Sequence, residues 1–154
     1  QRLGLVGPAG RACGNPYDVR RCFPSEHYPQ LEIPEHAMTG GDVFARAKMR
    51  ADEVMQSIEI IRSLLKQSVE TSIVEDPVAA AAPDSFVVTL NEAWRGELSH
   101  CLITDTEGKI LKYKVKDPSF HNWNGVSMSL RDTGISDFPL NNKSYNLSYC
   151  GFDL

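Results

Sequence analysis

Apolar residues recur at intervals of three and four along residues 42–67, with polar residues between them. This spacing predicts an α-helix that packs along its length through one apolar seam. The seam consists of Phe44, Ala47, Ala51, Val54, Ile58, Ile61 and Leu65. Thr39 or Asp42 is suited to cap the first turn. A helix of roughly 40 Å is long for a small domain, so we expect further helices outside this chain to lie against it.

The second half of the chain changes to a period of two, which predicts strands. Residues 105–108 form a hairpin loop in this interpretation, because Gly108 can adopt a positive φ. Leu111, Tyr113 and Val115 alternate with lysines, so we expect a small antiparallel sheet with one face in water. The predicted strands cover residues 86–90, 97–104 and 110–116.

Short elements follow the sheet. Pro118 ends the last strand, and Ser119 is the expected cap of a short helix over residues 120–130 that Gly134 terminates. The tail after Gly134 is too apolar for a disordered segment. We therefore expect it to pack against the long helix or the N-terminal residues.

Glycines and prolines interrupt residues 1–40 so often that no long helix or strand fits there. The sequence thus predicts an α+β fold: a loop-rich N-terminal lead-in packed with the long helix (1–67), a linker (68–84), and a small antiparallel sheet with a short helix and C-terminal tail (85–154). Because the chain opens on Gln1 directly into the lead-in, we expect a section of a longer protein.

A polar stripe runs beside the apolar seam of the long helix. Arg46, Arg50, Glu53 and Ser57 stand at spacings of four, three and four. One interpretation is a solvated flank of an amphipathic helix. The other is that half-desolvated guanidinium groups pair with carboxylates from elsewhere in the fold. The candidate carboxylates are Asp18, Asp137 and Asp153.

Composition excludes several classes of function. With 42% hydrophobic and 23% charged residues, the 154-residue chain is typical of a globular protein, and a net charge of −4 argues against a nucleic-acid partner. Four cysteines stand without the C-x2-C spacing of a metal site, so we expect reduced, mostly buried thiols. No H-E-x-x-H, G-x-S-x-G or Walker motif is present. The catalytic residues stay unknown at this level.

The order of the motifs nevertheless resembles a family. The runs GPAGRACGNPYDVRRCFPSEHY (7–28) and GDVFARAKMRADEVMQSIEII (41–61) are followed by RGE (95–97), DPSF (117–120) and the tail from Asp137. This order is similar to the second half of the nickel-iron hydrogenase large subunit. It is more similar to the energy-converting hydrogenase branch and the quinone-site large subunit of respiratory complex I. The first run contributes the expected structural motif Gly7, Arg11, Gly14, Asp18 and Arg20.

The resemblance implies an oxidoreductase, of the NADH:quinone or hydrogenase-like type, within a proton- or sodium-linked redox complex. It implies a larger subunit with an all-helical core, peripheral on the cytoplasmic side of the membrane. Its partners would be membrane subunits and an electron-transfer subunit that holds an iron-sulfur cluster. The candidate pocket or relay residues are Arg46, Arg50, Glu53, Asp137 and Asp153.

The tail departs from the hydrogenase pattern of an Asp-Pro-Cys-x-x-Cys run. In register with that run, Asn146 and Leu147 replace Asp-Pro, and Ser148 and Gly151 replace the two cysteines. Cys150 is displaced by one position. A serine hydroxyl is a poor ligand for a soft nickel centre and glycine offers none, so we expect no metal on this chain.

Three hypotheses follow from this resemblance. The first is a metal-free cavity that binds a quinone in the complete subunit or relays protons. The second is a non-catalytic interaction or scaffold subunit that docks an iron-sulfur partner. The third is a true hydrogenase. Under all three we expect the isolated chain to bind no cofactor and show no turnover, and its uncovered helix to favour a dimer in solution or in a crystal.

Overall fold

The computed structural model describes residues 2–25, 28–66 and 81–152. It confirms an α+β chain with one long helix, a three-stranded sheet and short C-terminal helices. No helix in these ranges is both long and apolar enough to cross a bilayer. The helices are α1 (Gly7–Arg11), α2 (Val19–Cys22), α3 (Val43–Lys66), α4 (Pro118–Ser129) and α5 (Phe138–Tyr145), and the strands are β1 (Phe86–Ala93), β2 (Gly96–Thr104) and β3 (Ile110–Lys116).

Helix α3 matches the predicted long helix within one residue at each end. Its N-terminus is capped by Asp42, one of the two predicted caps, because Asp42 Oδ1 accepts a hydrogen bond from the backbone N–H of Ala45 at 2.7 Å. In its described residues, the lead-in before α3 contributes the one-turn helices α1 and α2 and a 3-10 turn at Tyr28–Gln30, and no long element, as its glycines and prolines predict. The predicted linker lies outside the described residues except for 81–84.

The buried face of α3 is not the predicted apolar seam. Phe44 and Leu65 are 69% and 70% exposed, whereas Ala45, Arg46 and Met49 are buried. Periodicity identifies an apolar face, but the neighbouring elements decide which face is covered. Here α1 and α5 pack against the N-terminal half of α3 on the side of Ala45 and Met49. The seam is therefore a free apolar surface in the described part of the chain.

The sheet has the order β1-β2-β3 with antiparallel pairing. Val88 pairs with Cys101, and Cys101 in turn pairs with Lys114. Gly108 has a φ of 77° in the predicted hairpin loop. The predicted dry face of β3 is wrong, because Leu111 and Tyr113 are exposed like the lysines between them. Strand β3 extends beyond the elements that could cover it.

Helix α4 begins one residue before the predicted cap. Asp117 caps it by accepting a hydrogen bond from Ser119 N at 2.8 Å. Ser119 is fully buried and instead binds the tail, since its Oγ accepts from Ser148 N at 3.0 Å. Gly134 does not terminate α4; its N–H donates to Asp137 Oδ2 at 3.2 Å and begins a 3-10 turn before α5.

A small core joins the lead-in to the tail. Ala9 of α1, Val126 of α4, and Tyr145 and Leu147 of the tail are buried together. The prediction that the tail packs back against the long helix or the lead-in is confirmed, because α5 contacts α3, and Tyr145 and Leu147 are buried together with Ala9 of α1. These contacts bring the C-terminal residues next to the polar stripe of α3.

The lead-in also touches the sheet through two glycines. A Cβ at Gly7 would lie 2.3 Å from the carbonyl oxygen of Arg95, and a Cβ at Gly96 would lie 2.6 Å from Gly7 N. Only glycine permits such an approach of two backbones, and Gly7 also has a φ of +62°. The start of α1 and the β1–β2 turn are therefore in direct backbone contact.

Candidate functional site

Arg46 is the most buried member of the polar stripe and is only 1% exposed. Its Nε donates to Ser144 Oγ at 2.8 Å and its Nη2 to Asn141 Oδ1 at 2.7 Å. Its Nη1 donates to the carbonyl of Gly41 at 2.7 Å. The guanidinium group also lies 4.1 Å from the ring centre of Tyr145, a cation–π distance. Arg46 thus joins α3 to α5 through neutral oxygens and an aromatic face.

Two further arginines bind the C-terminal end of α5. Arg50 donates from Nη1 to the carbonyl of Ser144 and from Nη2 to that of Tyr145, the latter at 2.7 Å. Arg95 donates from Nε to the carbonyl of Asn146. Asn146 ends α5 in a left-handed conformation at φ 53°. Because the C-terminal carbonyls of a helix carry partial negative charge, this end of α5 attracts cations.

We refer to Arg46, Arg50 and Arg95 as the arginine cluster. Burial lowers the pKa of Arg46 and of Arg50, and the charges of Arg46 and Arg95 lower that of Arg50 further, although Glu53 opposes this. Both stay cationic at neutral pH because a guanidinium pKa starts far above it. Arg50 Nε is buried and has no hydrogen-bond acceptor in the described part of the chain. The cluster concentrates positive charge beside the tail.

The tail turn after α5 is closed by local hydrogen bonds. Ser148 Oγ accepts from Gly151 N at 2.9 Å, and Cys150 Sγ lies 3.8 Å from the same hydroxyl. A Cβ at Gly151 would lie 2.7 Å from Asp117 Cγ. Asp117 is held in place because it caps α4. Position 151 therefore has no room for a cysteine side chain unless Asp117 moves.

These residues do not fit a nickel-iron centre. Ser148 offers a hard oxygen donor, Gly151 offers no donor and no space, and nickel prefers thiolates. Over residues 2–25, 28–66 and 81–152, no group of three or more His, Cys, Asp and Glu side chains could hold a metal ion. We therefore assign no metal chemistry to the tail turn.

The cysteines differ from expectation in their exposure. Cys13, Cys22 and Cys150 are exposed, and Cys101 is half-buried. The prediction of mostly buried thiols is wrong, because the elements that carry these residues lie at the edges of the small core. All four are free thiols in the structure.

A second buried group of charges lies further along the same face of α3, beginning at Glu53, one turn after Arg50. Arg11 is 3% exposed, and its Nε donates to Glu53 Oε1 at 2.6 Å. Its Nη1 lies 2.9 Å from Glu92 Oε1 and 3.7 Å from Asp18 Oδ2. Arg20 binds Asp18 through two nitrogens at 3.0 and 2.6 Å. We call Arg11, Asp18, Arg20, Glu53 and Glu92 the Arg11 cluster.

The groups of this cluster shift one another's proton affinities. Burial alone would lower the pKa of Arg11, but the hydrogen bond to Glu53 and the charges of Glu92 and Asp18 raise it above its ordinary value. For Asp18, burial is outweighed by Arg20 and Arg11, and the pKa is lowered. Burial raises the pKa of Glu92 although Arg11 opposes the shift. Burial therefore favours the protonated form of Glu92.

The candidate residues from the sequence fall into separate places. Arg46 and Arg50 both bind α5 at the tail, whereas Glu53 binds Arg11 and belongs to the Arg11 cluster. The prediction that Asp18 or Asp137 pairs with the stripe is wrong: Asp18 binds Arg20 and Arg11, and Asp137 caps a turn. Asp153 lies outside the described residues. In the structural motif, Gly7 and Asp18 have the contacts given above, and Gly14 adopts a φ of +84° just after α1.

Sequence reasoning missed Arg95, Glu92 and Asn122 as site residues. Arg95 stands in the RGE motif, which was its only local signal. Glu92 lies beyond the predicted end of β1 at residue 90, although the strand continues to Ala93. Asn122 fixes the lead-in, since Oδ1 accepts from Val6 N at 3.0 Å and Nδ2 donates to the carbonyl of Arg95 at 3.2 Å.

The sequence of this chain is similar to those of a hydrogenase and of a respiratory oxidoreductase subunit. The chain is 34% identical over 137 residues to the carbon monoxide-induced hydrogenase of Rhodospirillum rubrum, covering 89% of this chain and 38% of that protein. It is 29% identical over 139 residues to an NADH-quinone oxidoreductase subunit of Syntrophobacter fumaroxidans, with 89% and 37% covered.

A solved structure has the same fold. A chain of the membrane-bound sulfane sulfur reductase, an archaeal respiratory membrane complex, superposes with a TM-score of 0.88 at 26% identity. The match covers 99% of this chain and 43% of that one. The chain thus spans well under half the length of the relatives it matches. The family described as respiratory-chain NADH dehydrogenase, 49 Kd subunit, matches residues 1–89 and 78–153, and the chain belongs to this family.

Proposed function

We propose that this chain is part of the large subunit of a membrane-associated oxidoreductase complex, where it forms one wall of a cavity without its own nickel-iron centre. The cavity accepts a quinone-type headgroup or passes protons, and electrons arrive from an iron-sulfur cluster in a partner subunit. The subunit is peripheral and lies on the cytoplasmic side of the membrane.

The observation that carries the proposal is the contrast within the tail. The positions at which the hydrogenase pattern has cysteines hold Ser148 and the tightly enclosed Gly151, yet the arginine cluster is retained beside them. A quinone would supply an electron acceptor, and nearby positive charge favours the addition of an electron to it. Arg50 Nε, a buried donor without an acceptor in the described residues, is suited to a quinone oxygen.

The exposed seam of α3 supports a place within a larger subunit. Phe44, Ile61 and Leu65 lie in one apolar stripe that nothing in the described residues covers. Because the matched relatives are more than twice as long, we propose that further helices of the same subunit cover this seam. The uncovered stripe would also explain a dimer of the isolated chain.

Binding of a quinone analogue to the intact complex tests the cavity. We expect Arg50→Ala to abolish binding, because it removes both the orphan donor and the clamp on α5. Arg62→Ala is the matched control, since Arg62 is exposed on the same helix and pairs with the equally exposed Glu59. Unchanged binding in Arg50→Ala would remove the arginine cluster from the site.

A non-catalytic scaffold is the second candidate. It is favoured by the fact that Arg46 and both Nη groups of Arg50 are already bonded to neighbouring residues, so they stabilise the fold without a ligand. This candidate predicts that the iron-sulfur partner associates normally with Arg50→Ala and that no quinone analogue binds to the wild type. Nickel in the intact complex at one atom per subunit would instead favour a true hydrogenase.

A further inference from the structure

Glu92 occupies an unusual position in the Arg11 cluster. Its side chain is 4% exposed, and Oε2 accepts a hydrogen bond from Val19 N at 3.0 Å. Oε1 lies 2.9 Å from Arg11 Nη1, which also donates to the carbonyl of Tyr17 at 2.8 Å, and no donor among the described residues meets Oε1 in good hydrogen-bond alignment. One oxygen of a buried carboxyl group is therefore contacted by charge but not by a well-aligned donor.

The cluster contains more acids than bases. Asp18, Glu53 and Glu92 surround Arg11, and Arg20 is the second cation. If all three acids were ionised, Arg11 and Arg20 would leave one buried negative charge without a cation in contact, because Arg50, the next cation, acts on Glu53 through its charge and not through an ion pair. A buried charge without a contacting partner is costly. One proton on a carboxyl group makes it neutral. The titratable groups that face Glu92 or its neighbours are Arg11, Tyr17, Asp18, Arg20, Arg50, Glu53 and Glu97.

Glu92 is the acid best placed to hold that proton. Asp18 is bound through both oxygens by Arg20, and Glu53 receives the 2.6 Å hydrogen bond from Arg11 Nε. Tyr17 stays neutral and adds no charge to the cluster, because burial and the hydrogen bond that its hydroxyl donates to Glu97 raise the pKa of Tyr17. Of the three acids around Arg11, Glu92 has the weakest set of donors and the lowest exposure.

A small cavity adjoins Glu92. A cavity of about 50 Å³ is lined by Glu92, Val19, Arg20 and Tyr28, among others. This volume is enough for a water molecule, which needs about one probe sphere of space and polar partners. Water in this cavity could deliver a proton to the carboxylate without opening the core.

We propose that the Arg11 cluster is a proton-binding site in which Glu92 takes up the proton from water through this cavity. Uptake forms one O–H bond on the carboxylate and breaks none in the protein, and release reverses it. As a relay for redox turnover, the site rests on the function proposed above. As a proton-binding site, it is a property of the folded chain alone.

Infrared difference spectroscopy of the assembled complex at neutral pH tests the site. In the wild type minus Glu92→Gln spectrum, we expect the carbonyl stretching band of a protonated carboxyl group, shifted in D2O. Glu107→Gln is the matched control, because Glu107 is exposed and pairs with the equally exposed Lys109, and its difference spectrum lacks the band. Absence of the band from the wild type minus Glu92→Gln spectrum overturns the proposal.

Asp18→Asn is a second variant that leaves Glu92 itself unchanged, so the test does not depend on correct folding of Glu92→Gln. Asparagine can still cap α2, whereas the change removes a negative charge that favours the protonated form of Glu92. We therefore expect Glu92 to ionise and its band to fall at neutral pH. A band of unchanged intensity in Asp18→Asn, with the complex intact, contradicts the charge balance and overturns the proposal.

Reduction of the complex distinguishes the proton-binding site from its proposed role as a relay. If the Glu92 band changes when the complex is reduced, the proton site and the relay are both supported. If the band is present but does not change on reduction, the proton-binding site stands and the relay in the proposed function fails.

Discussion

The backbone contact between α1 and the β1–β2 turn allows a prediction with an internal control. Gly7 and Gly4 both have a φ of +62°, but a Cβ at Gly7 would meet the carbonyl of Arg95 at 2.3 Å, whereas a Cβ at Gly4 would meet nothing within 4 Å. Alanine at either position therefore has the same φ strain. Only Gly7→Ala also has a steric clash.

The magnitudes follow from these two terms. A left-handed alanine costs about 1–2 kcal/mol, and the less flexible unfolded chain returns about 0.4–1 kcal/mol, so Gly4→Ala should cost about 1 kcal/mol. Overpacking against a backbone atom adds about 1–3 kcal/mol for Gly7→Ala. The clash also pushes Arg95 away from the carbonyl of Asn146, which weakens the arginine cluster.

Urea denaturation followed by circular dichroism measures the two free energies of unfolding. We expect Gly7→Ala to be less stable than Gly4→Ala by about 1–3 kcal/mol with an unchanged dependence on urea concentration. Equal losses in the two variants would refute the reasoning, because they would mean that the lead-in moves away from the turn at no cost.

Three further predictions concern the arginine cluster, the tail turn and the response to pH. Arg46→Met should lower the free energy of unfolding by about 3–5 kcal/mol, because two buried acceptors and one half-buried acceptor lose a charged donor. Arg62→Met should stay within about 0.5 kcal/mol, and thermal unfolding of both variants checks this. Gly151→Cys should destabilise the chain through its clash with Asp117 and acquire no nickel, as urea denaturation and elemental analysis would show. Because the pKa of Asp18 is lowered in the folded state, its stabilising effect is full above about pH 4 and is lost as the pH falls through the folded pKa. The difference in free energy of unfolding between the wild type and Asp18→Asn should therefore shrink as the pH falls.

The elements of the fold could be predicted because their signals are local. The periodicity of α3 and of the strands, and the turn at Gly108, depend on neighbours in sequence. The buried face of α3 could not be predicted in the same way. Arg46 is buried because Asn141 and Ser144, almost a hundred residues away, supply neutral oxygens that satisfy it.

The candidate site was predictable only in part for the same reason. The four-residue spacing of Arg46 and Arg50 places them side by side, but no spacing reveals that Arg95 reaches Asn146 or that Glu92 reaches Arg11. These contacts arise because the sheet packs against both the tail and the lead-in. The acids expected near the stripe have closer partners of their own, such as Arg20 for Asp18.

The enclosed position of Gly151 has an evolutionary consequence. A mutation that places a side chain at position 151 also displaces Asp117, the cap of α4, so it costs stability before it can supply a ligand. A thiolate pair at positions 148 and 151 would therefore require a compensating change around Asp117 in addition to two new cysteines.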